Sequence, residues 1–342
     1  MTGKERMKAV LDMQIPDRIP VMMHNFQTCA REAGLTMAEY RSSADNMSTA
    51  MIRSCIKYDL DAILLDVDTA LLASACGADV RYPEDIAAVT EDVQPRSMEQ
   101  LIEDLAKVDL RKSERVGIYL DAVHRLSEWC SANDVYLRAN ADQGPFSLAC
   151  ELTGMTQFLI NLVDEDNEDI IKELIGQTYR ISLEMHRLCM EAGADGTSYG
   201  NSSEGCSVIS PEMFRKFAFP FEKRFAADLA AIGSRAICHI CGNVNPILED
   251  LAATGCIAYE FDSKTDIELA QKTAGGHFSI SGNIDPALIY KGTPEQIIPE
   301  VRKLLDLYRN KGGLIVCSGC ATAPNTPQEN LFAIVNTVKN EG

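Results

Sequence analysis

Short apolar runs rich in Val, Ile and Leu recur along the chain, and longer stretches of helical periodicity separate them. Eight runs read as strands: 19–23 (IPVMM), 62–66 (AILLD), 135–140 (VYLRAN), 195–200 (DGTSYG), 235–240 (RAICHI), 257–262 (IAYEFD), 277–282 (HFSISG) and 313–318 (GLIVCS). The pattern predicts helices over 211–233, 244–255 and 293–313, among others. The last opens with Thr293 as N-cap, Pro294 at the first helical position and Gln296 completing a capping box, and Gly312 is predicted to close it.

Strand followed by helix, eight times over, predicts the α/β class and a (βα)8 TIM barrel. One helix, Lys4 to Met13, precedes the first strand, and a long, mostly helical insert, 74–133, separates the second and third. That insert is expected to cap the barrel mouth. No Ser/Gly/Pro-rich linker divides the chain, so 1–342 reads as a single domain. The absence of a Gly-rich phosphate loop and of any G-x-G-x-x-G argues against a doubly wound nucleotide-binding fold.

Barrel chemistry sits at the C-terminal ends of the strands. Asp66 and Asp68 end the second strand; Asp142 and Gln143 follow the third; Asn201, Ser202 and Glu204 follow the fourth. The fifth carries His239 and Cys241, the sixth Glu260 and Asp262, the seventh leads to Asn283, and the eighth to Cys317 and Cys320. Strand side chains alternate, so His239 and Cys241 share a face, as do Glu260 and Asp262. Barrel closure can bring Cys320 across the mouth toward His239 and Cys241, a donor set that suits zinc. Two other readings stay open at this point. The His and Cys residues can be ordinary core, or Cys238-x-x-Cys241 and Cys317-x-x-Cys320 can form a four-cysteine site, although Cys238 should face the outer helices.

Composition narrows the partners. A net charge of -18 with no basic stretch excludes nucleic acid and anionic membrane surfaces. No run of apolar residues reaches membrane-spanning length and the N-terminus has no signal-like apolar region. Twelve cysteines in such a chain point to a reducing cytoplasm rather than a disulfide framework.

The segments CHICGNVNPILEDLAATG, SISGNIDP followed by GTPEQI, and SGCATAPNTPQENLFAIV resemble the uroporphyrinogen decarboxylase superfamily. The resemblance runs from DRIPV to the last helix and is strongest after about residue 235. It implies a (βα)8 barrel, in agreement with the strand count. The decarboxylases hold their substrate's carboxylates with arginines just after the first strand; here His24, Asn25 and Cys29 stand in that stretch. They also carry a histidine in the last-strand motif where this chain has Cys320. The zinc-dependent, corrinoid-linked methyltransferase branch instead has H-x-C on the fifth strand and a cysteine after the eighth, which His239, Cys241 and Cys320 match.

This branch implies Zn2+ on His239, Cys241 and Cys320, and a cobamide supplied by a partner corrinoid protein, since the chain has no D-x-H-x-x-G corrinoid motif of its own. A carboxylate ending the sixth strand can fill the fourth zinc position. Asp262 aligns there, where the branch has Glu, and Glu260 is the alternative. Asp142 is a further candidate for catalysis, and Asp66, Gln143 and Asn283 for cofactor or substrate binding. The implied reaction moves a methyl group between the corrinoid and a small molecule, with a thiol activated as thiolate on zinc favoured by the electron-rich ligand set. Demethylation of a methoxylated or methylamine substrate and a decarboxylase-like lyase reaction are the alternatives. A homodimer is a further expectation, because the decarboxylase branch often dimerises.

Overall fold

The computed structural model describes residues 1–91 and 96–342. Among the described residues nine strands are present: β1 (Ala62–Leu65), β2 (Val80–Arg81), β3 (Val89–Thr90), β4 (Tyr136–Gln143), β5 (Gly196–Gly200), β6 (Ile237–Ile240), β7 (Ala258–Phe261), β8 (Ser279–Ile284) and β9 (Leu314–Ser318). All but β2 and β3, which form a small antiparallel hairpin, join one parallel sheet in the order β1-β4-β5-β6-β7-β8-β9. Helices surround this curled sheet, giving a TIM-barrel-like α/β architecture.

The predicted first strand, 19–23, is not a strand. It is an extended segment with one parallel bridge, Val21 to Val316. The segment nevertheless fills the eighth place in the ring. Val316 N–H donates to Pro20 O at 3.0 Å, Met22 N–H to Val316 O at 3.1 Å, and Asp61 N–H to Val21 O at 3.1 Å. The ladder stays short for two reasons. Pro20 has no N–H to give, and the N–H of Val21 goes to the Asp61 carboxylate at 3.0 Å instead of to a strand carbonyl. Asp61 is buried, and the Arg18 guanidinium compensates its charge at 2.7 and 2.8 Å.

Alternation along the strands builds two cores. Met22, Leu64, Tyr136, Ile237, Ala258 and Ile315 point into the barrel. The helix Gly3–Leu11 closes its lower end, adding Met7, Val10 and Leu11 to that interior. Their neighbours Ile63, Leu65, Leu137, Cys238, Tyr259 and Val316 face outward and pack under the helices. The segment between β1 and β4 contains the hairpin, the helix Met98–Leu105 and the helix Glu114–Ala132, which packs on the helix Ala44–Tyr58 and on β4.

Two predicted helices are shorter or more broken than their periodicity suggests. The run 211–233 begins as Pro211–Met213, widens into a π-turn over Phe214–Ala218, and continues as Phe219–Ala231. Pro220 lacks the N–H a regular turn would use there, which accounts for the break. The helix from Pro294 ends at Tyr308 rather than near Gly312, while its start is as expected, with Thr293 N–H donating to Gln296 Oε1 at 3.0 Å. Among the described residues, no single helix is long and apolar enough to cross a membrane.

Candidate metal centre and substrate cavity

His239 lies on β6, and Cys241 follows the strand's last residue, Ile240. Cys320 follows β9. The ring closure brings them together: one ligand atom from each of His239, Cys241 and Cys320 lies within 4.8 Å of the others. His239 Nε2 is 3.0 Å from Cys241 Sγ. Glycine permits the tight approaches on both sides. Gly242, directly after Cys241, adopts φ +80°, and a Cβ there would meet Ser207 Oγ at 2.5 Å. A Cβ on Gly319, directly before Cys320, would meet Ser263 N at 2.8 Å.

The donor set fits zinc on its own chemistry. One imidazole nitrogen and two thiol sulfurs converge, a borderline-soft donor set that would suit zinc and leave it a further position for substrate. The Cys241 thiol is drawn down to about 4 by the neighbouring Cys320 thiol and by His239, against the effect of burial. The same proximity pushes Cys320 up, so the pair holds one thiolate readily. The Ser202 hydroxyl also donates to Cys241 Sγ at 3.3 Å. The four-cysteine arrangement does not form. Cys238 points outward, and its Sγ lies 4.0 Å from Glu222 Oε2, in a buried group with Glu204.

Behind His239 stands a chain of buried charges. Glu260 Oε1 is 3.3 Å from His239 Nδ1 and 3.2 Å from His24 Nδ1. Its other oxygen receives Arg138 Nη1 at 2.5 Å. Burial alone would raise the Glu260 carboxyl, but Arg138, His239 and His24 overcome it and hold it well below the usual range. Glu260 therefore sits on the far side of the imidazole from Cys241. The Nδ1 hydrogen bond goes to the Glu260 backbone carbonyl at 3.2 Å, with the carboxylate beside it, and Nε2 is left toward the thiols.

His24 completes the chain, with Nε2 2.7 Å from Asp66 Oδ2. Burial opposes its protonation, yet Asp66 and Glu260 raise it to about 9. Its folded value is above the ordinary 6.5 or so of a free histidine. The stabilisation is therefore fully present below that value and is lost as pH rises through about 9. His24→Asn is expected to unfold more easily than wild type by on the order of 2 kcal/mol at pH 6, with the gap narrowing toward pH 10. Denaturant melts across this range check it, and a gap independent of pH would mean that His24 is neutral in the folded protein.

The remaining candidates divide. Asp66, Asp142 and Gln143 line a cavity of about 230 Å³ together with His239, Cys241 and Cys320. Asp262 does not line it. Its carboxylate accepts N–H groups of Gly242 at 2.8 Å and Lys264 at 3.0 Å, bracing the turn after Cys241. Asn283 lies at a separate surface cleft, where its amide donates to Asp262 O and Thr265 O at 3.2 and 3.0 Å. Glu204 is buried behind β6 rather than in the cavity. Sequence patterns gave no sign of Arg138 or of the part played by His24. Their partner Glu260 lies 122 and 236 residues away, so no local spacing could reveal either.

A parallel barrel with an imidazole, two thiols and an enclosed cavity at the C-terminal ends of its strands defines a TIM-barrel protein with a candidate metal centre. The chain belongs to the uroporphyrinogen decarboxylase family, whose profile matches residues 2–341. It is 28% identical to a methylcobamide:CoM methyltransferase, MtbA, of Methanosarcina mazei, over 99% of this chain and 98% of that one. It is 24% identical to a uroporphyrinogen decarboxylase of Coxiella burnetii, over 98% of this chain and 94% of that one. In structure it resembles a methyltransferase from Methanosarcina mazei with a TM-score of 0.88 and 23% identity, each chain covered to 99%.

Proposed function

We propose that this chain is a zinc-dependent methyltransferase that moves a methyl group between a corrinoid carried on a partner protein and a small thiol. The observation that carries this reading is the convergence of His239, Cys241 and Cys320 on a cavity of about 230 Å³. Full-length similarity to methylcobamide:CoM methyltransferases supports the reaction class. Zinc bound to these three residues would lower the pKa of a substrate thiol so that a thiolate exists at neutral pH.

The protein's own groups do the rest. Glu260 holds the His239 ring in one orientation, and Arg138 on one side and His24 with Asp66 on the other secure Glu260. Asp142 and Gln143 offer polar atoms to the substrate within the cavity. The corrinoid approaches at the mouth, because the cavity is too small to enclose a macrocycle. The described part of segment 74–133, which leaves out 92–95, covers part of that mouth, a role supported by Ala87 in the cavity wall. Asp262 serves as a fourth zinc position only if it releases its two backbone N–H groups. The twelve free cysteines suit a reducing cytoplasm.

Porphyrinogen decarboxylation fits less well. In the stretch where the decarboxylases carry arginines, His24 is bound to two carboxylates, Asn25 donates to Ser54 Oγ at 3.0 Å, and Cys29 is buried. The direct test is transfer from methylcobalamin, monitored by its absorbance, to a panel of thiols with zinc-loaded protein. Thiol-dependent demethylation that chelation abolishes is expected. Demethylation unaffected by chelation, or none with any thiol, would overturn the proposal.

A further inference from the structure

Two acceptors on the cavity wall lack any partner. Asp142 Oδ1 and Gln143 Oε1 are buried and make no hydrogen bond, and both side chains line the cavity that holds the three metal donors. Asp142 is 3% exposed and Gln143 9%. A buried polar atom left empty is costly, so a pair on the wall of one cavity points to a ligand that fills it.

The backbone aims Asp142 at this place. It adopts φ +66°, a left-handed conformation unusual for a residue with a side chain. Its other oxygen, Oδ2, accepts the Leu72 N–H at 2.6 Å and pins the carboxyl. The register sets the distance from the metal donors. Gln143 pairs with Gly200, and Gly200 with His239, so the two ends of the cavity are two strand spacings apart, roughly 10 Å. That is the span of a short molecule with a thiol at one end and a polar group at the other.

The charges decide what that polar group is. Arg138 is the single Arg or Lys on this wall among the described residues, and it is bound to Glu260. His24 lies between Asp66 and Glu260. Asp68, also on the wall, is paired with Arg115 at 2.6 Å. Asp142 alone has no cation beside it, and burial with Glu151 nearby raises its carboxyl well above the usual range, a penalty that an adjacent cation would relieve. The geometry points to a substrate that carries a protonated amine at the end remote from the thiol, received by Asp142 Oδ1 and Gln143 Oε1. This inference rests on the thiol-transfer reading above and narrows it: a thiol with an anionic tail is disfavoured.

The test uses zinc-loaded protein and three thiols with the same two-carbon spacer: 2-aminoethanethiol, 2-mercaptoethanol and 2-mercaptoethanesulfonate. Calorimetric titration in two buffers of different ionisation enthalpy reads affinity and proton release together. The aminothiol is expected to bind at least about tenfold more tightly than the sulfonate, since charge-assisted pairs are worth 1.5 kcal/mol or more. Asp142→Asn should shrink that ratio toward one, with both thiols titrated into the same variant. Gln143→Leu gives a second arm should Asp142→Asn not fold. Arg138 Nε is a buried donor without a partner, so an anionic tail has a competing place to go. Equal affinities, or a preference for the sulfonate, with proton release intact would overturn this inference and leave the thiol reading standing. No binding of any thiol would overturn both.

Discussion

Cys320→Ala and His239→Ala are expected to reduce bound zinc from about one per chain to near zero, and methyl transfer with it. Each substitution removes one of three donors that lie within 4.8 Å of one another. Neither side chain belongs to the close-packed apolar core, so the circular dichroism spectrum should survive. Glu260→Gln separates holding the metal from orienting its ligand. It keeps the shape and the backbone hydrogen bond to His239 Nδ1 but removes the charge beside it, so a loss of zinc affinity of about 10-fold is expected, not abolition. Metal analysis after dialysis against graded chelator reads all three. Full zinc in Cys320→Ala would remove β9 from the metal centre.

The largest effect on stability is expected from Arg138. It is 2% exposed, and its partner Glu260 is fully buried. Arg138→Met leaves the carboxylate without its principal counter-charge in a dry interior, and removal of one member of such a pair costs about 3 to 5 kcal/mol. Arg138→Met combined with Glu260→Gln should recover much of this loss, because the carboxylate that Arg138 balanced is then neutral as well. Urea midpoints for the two single variants and the double variant form the cycle. Equal loss in the single and double variants would mean that Arg138 acts by packing alone.

The barrel was legible in the sequence because its strands are buried on both faces and read as unbroken apolar runs. All seven sheet strands fall within a few residues of their predicted places. The run at 19–23 looks the same in composition, yet forms a single bridge. Its difference lies in Pro20 and in Asp61, a side chain 40 residues away that takes the N–H of Val21. The convergence of His239, Cys241 and Cys320 was legible for a similar reason. Two-residue spacing on a strand fixes a common face, and a family motif pointed to Cys320. Glu260 and Asp262 share a face by the same rule, but only the three-dimensional structure shows Glu260 behind the imidazole and Asp262 bound to backbone. The charge chain through His24 and Arg138 was invisible, because electrostatic partners across a barrel interior leave no periodicity in the sequence.

The single bridge between Val21 and Val316 also bears on the order of assembly. It joins positions 295 residues apart (316 − 21), so it belongs to the most non-local contacts in the fold, those whose loop-closure entropy is met last. The three metal donors straddle the same late step, with His239 and Cys241 on one arc and Cys320 arriving with the final strand. A metal ion held by all three would act as a clasp on the closed ring, favouring the state in which the chain's two ends have met, and its removal would be expected to open the seam beside Val21 first.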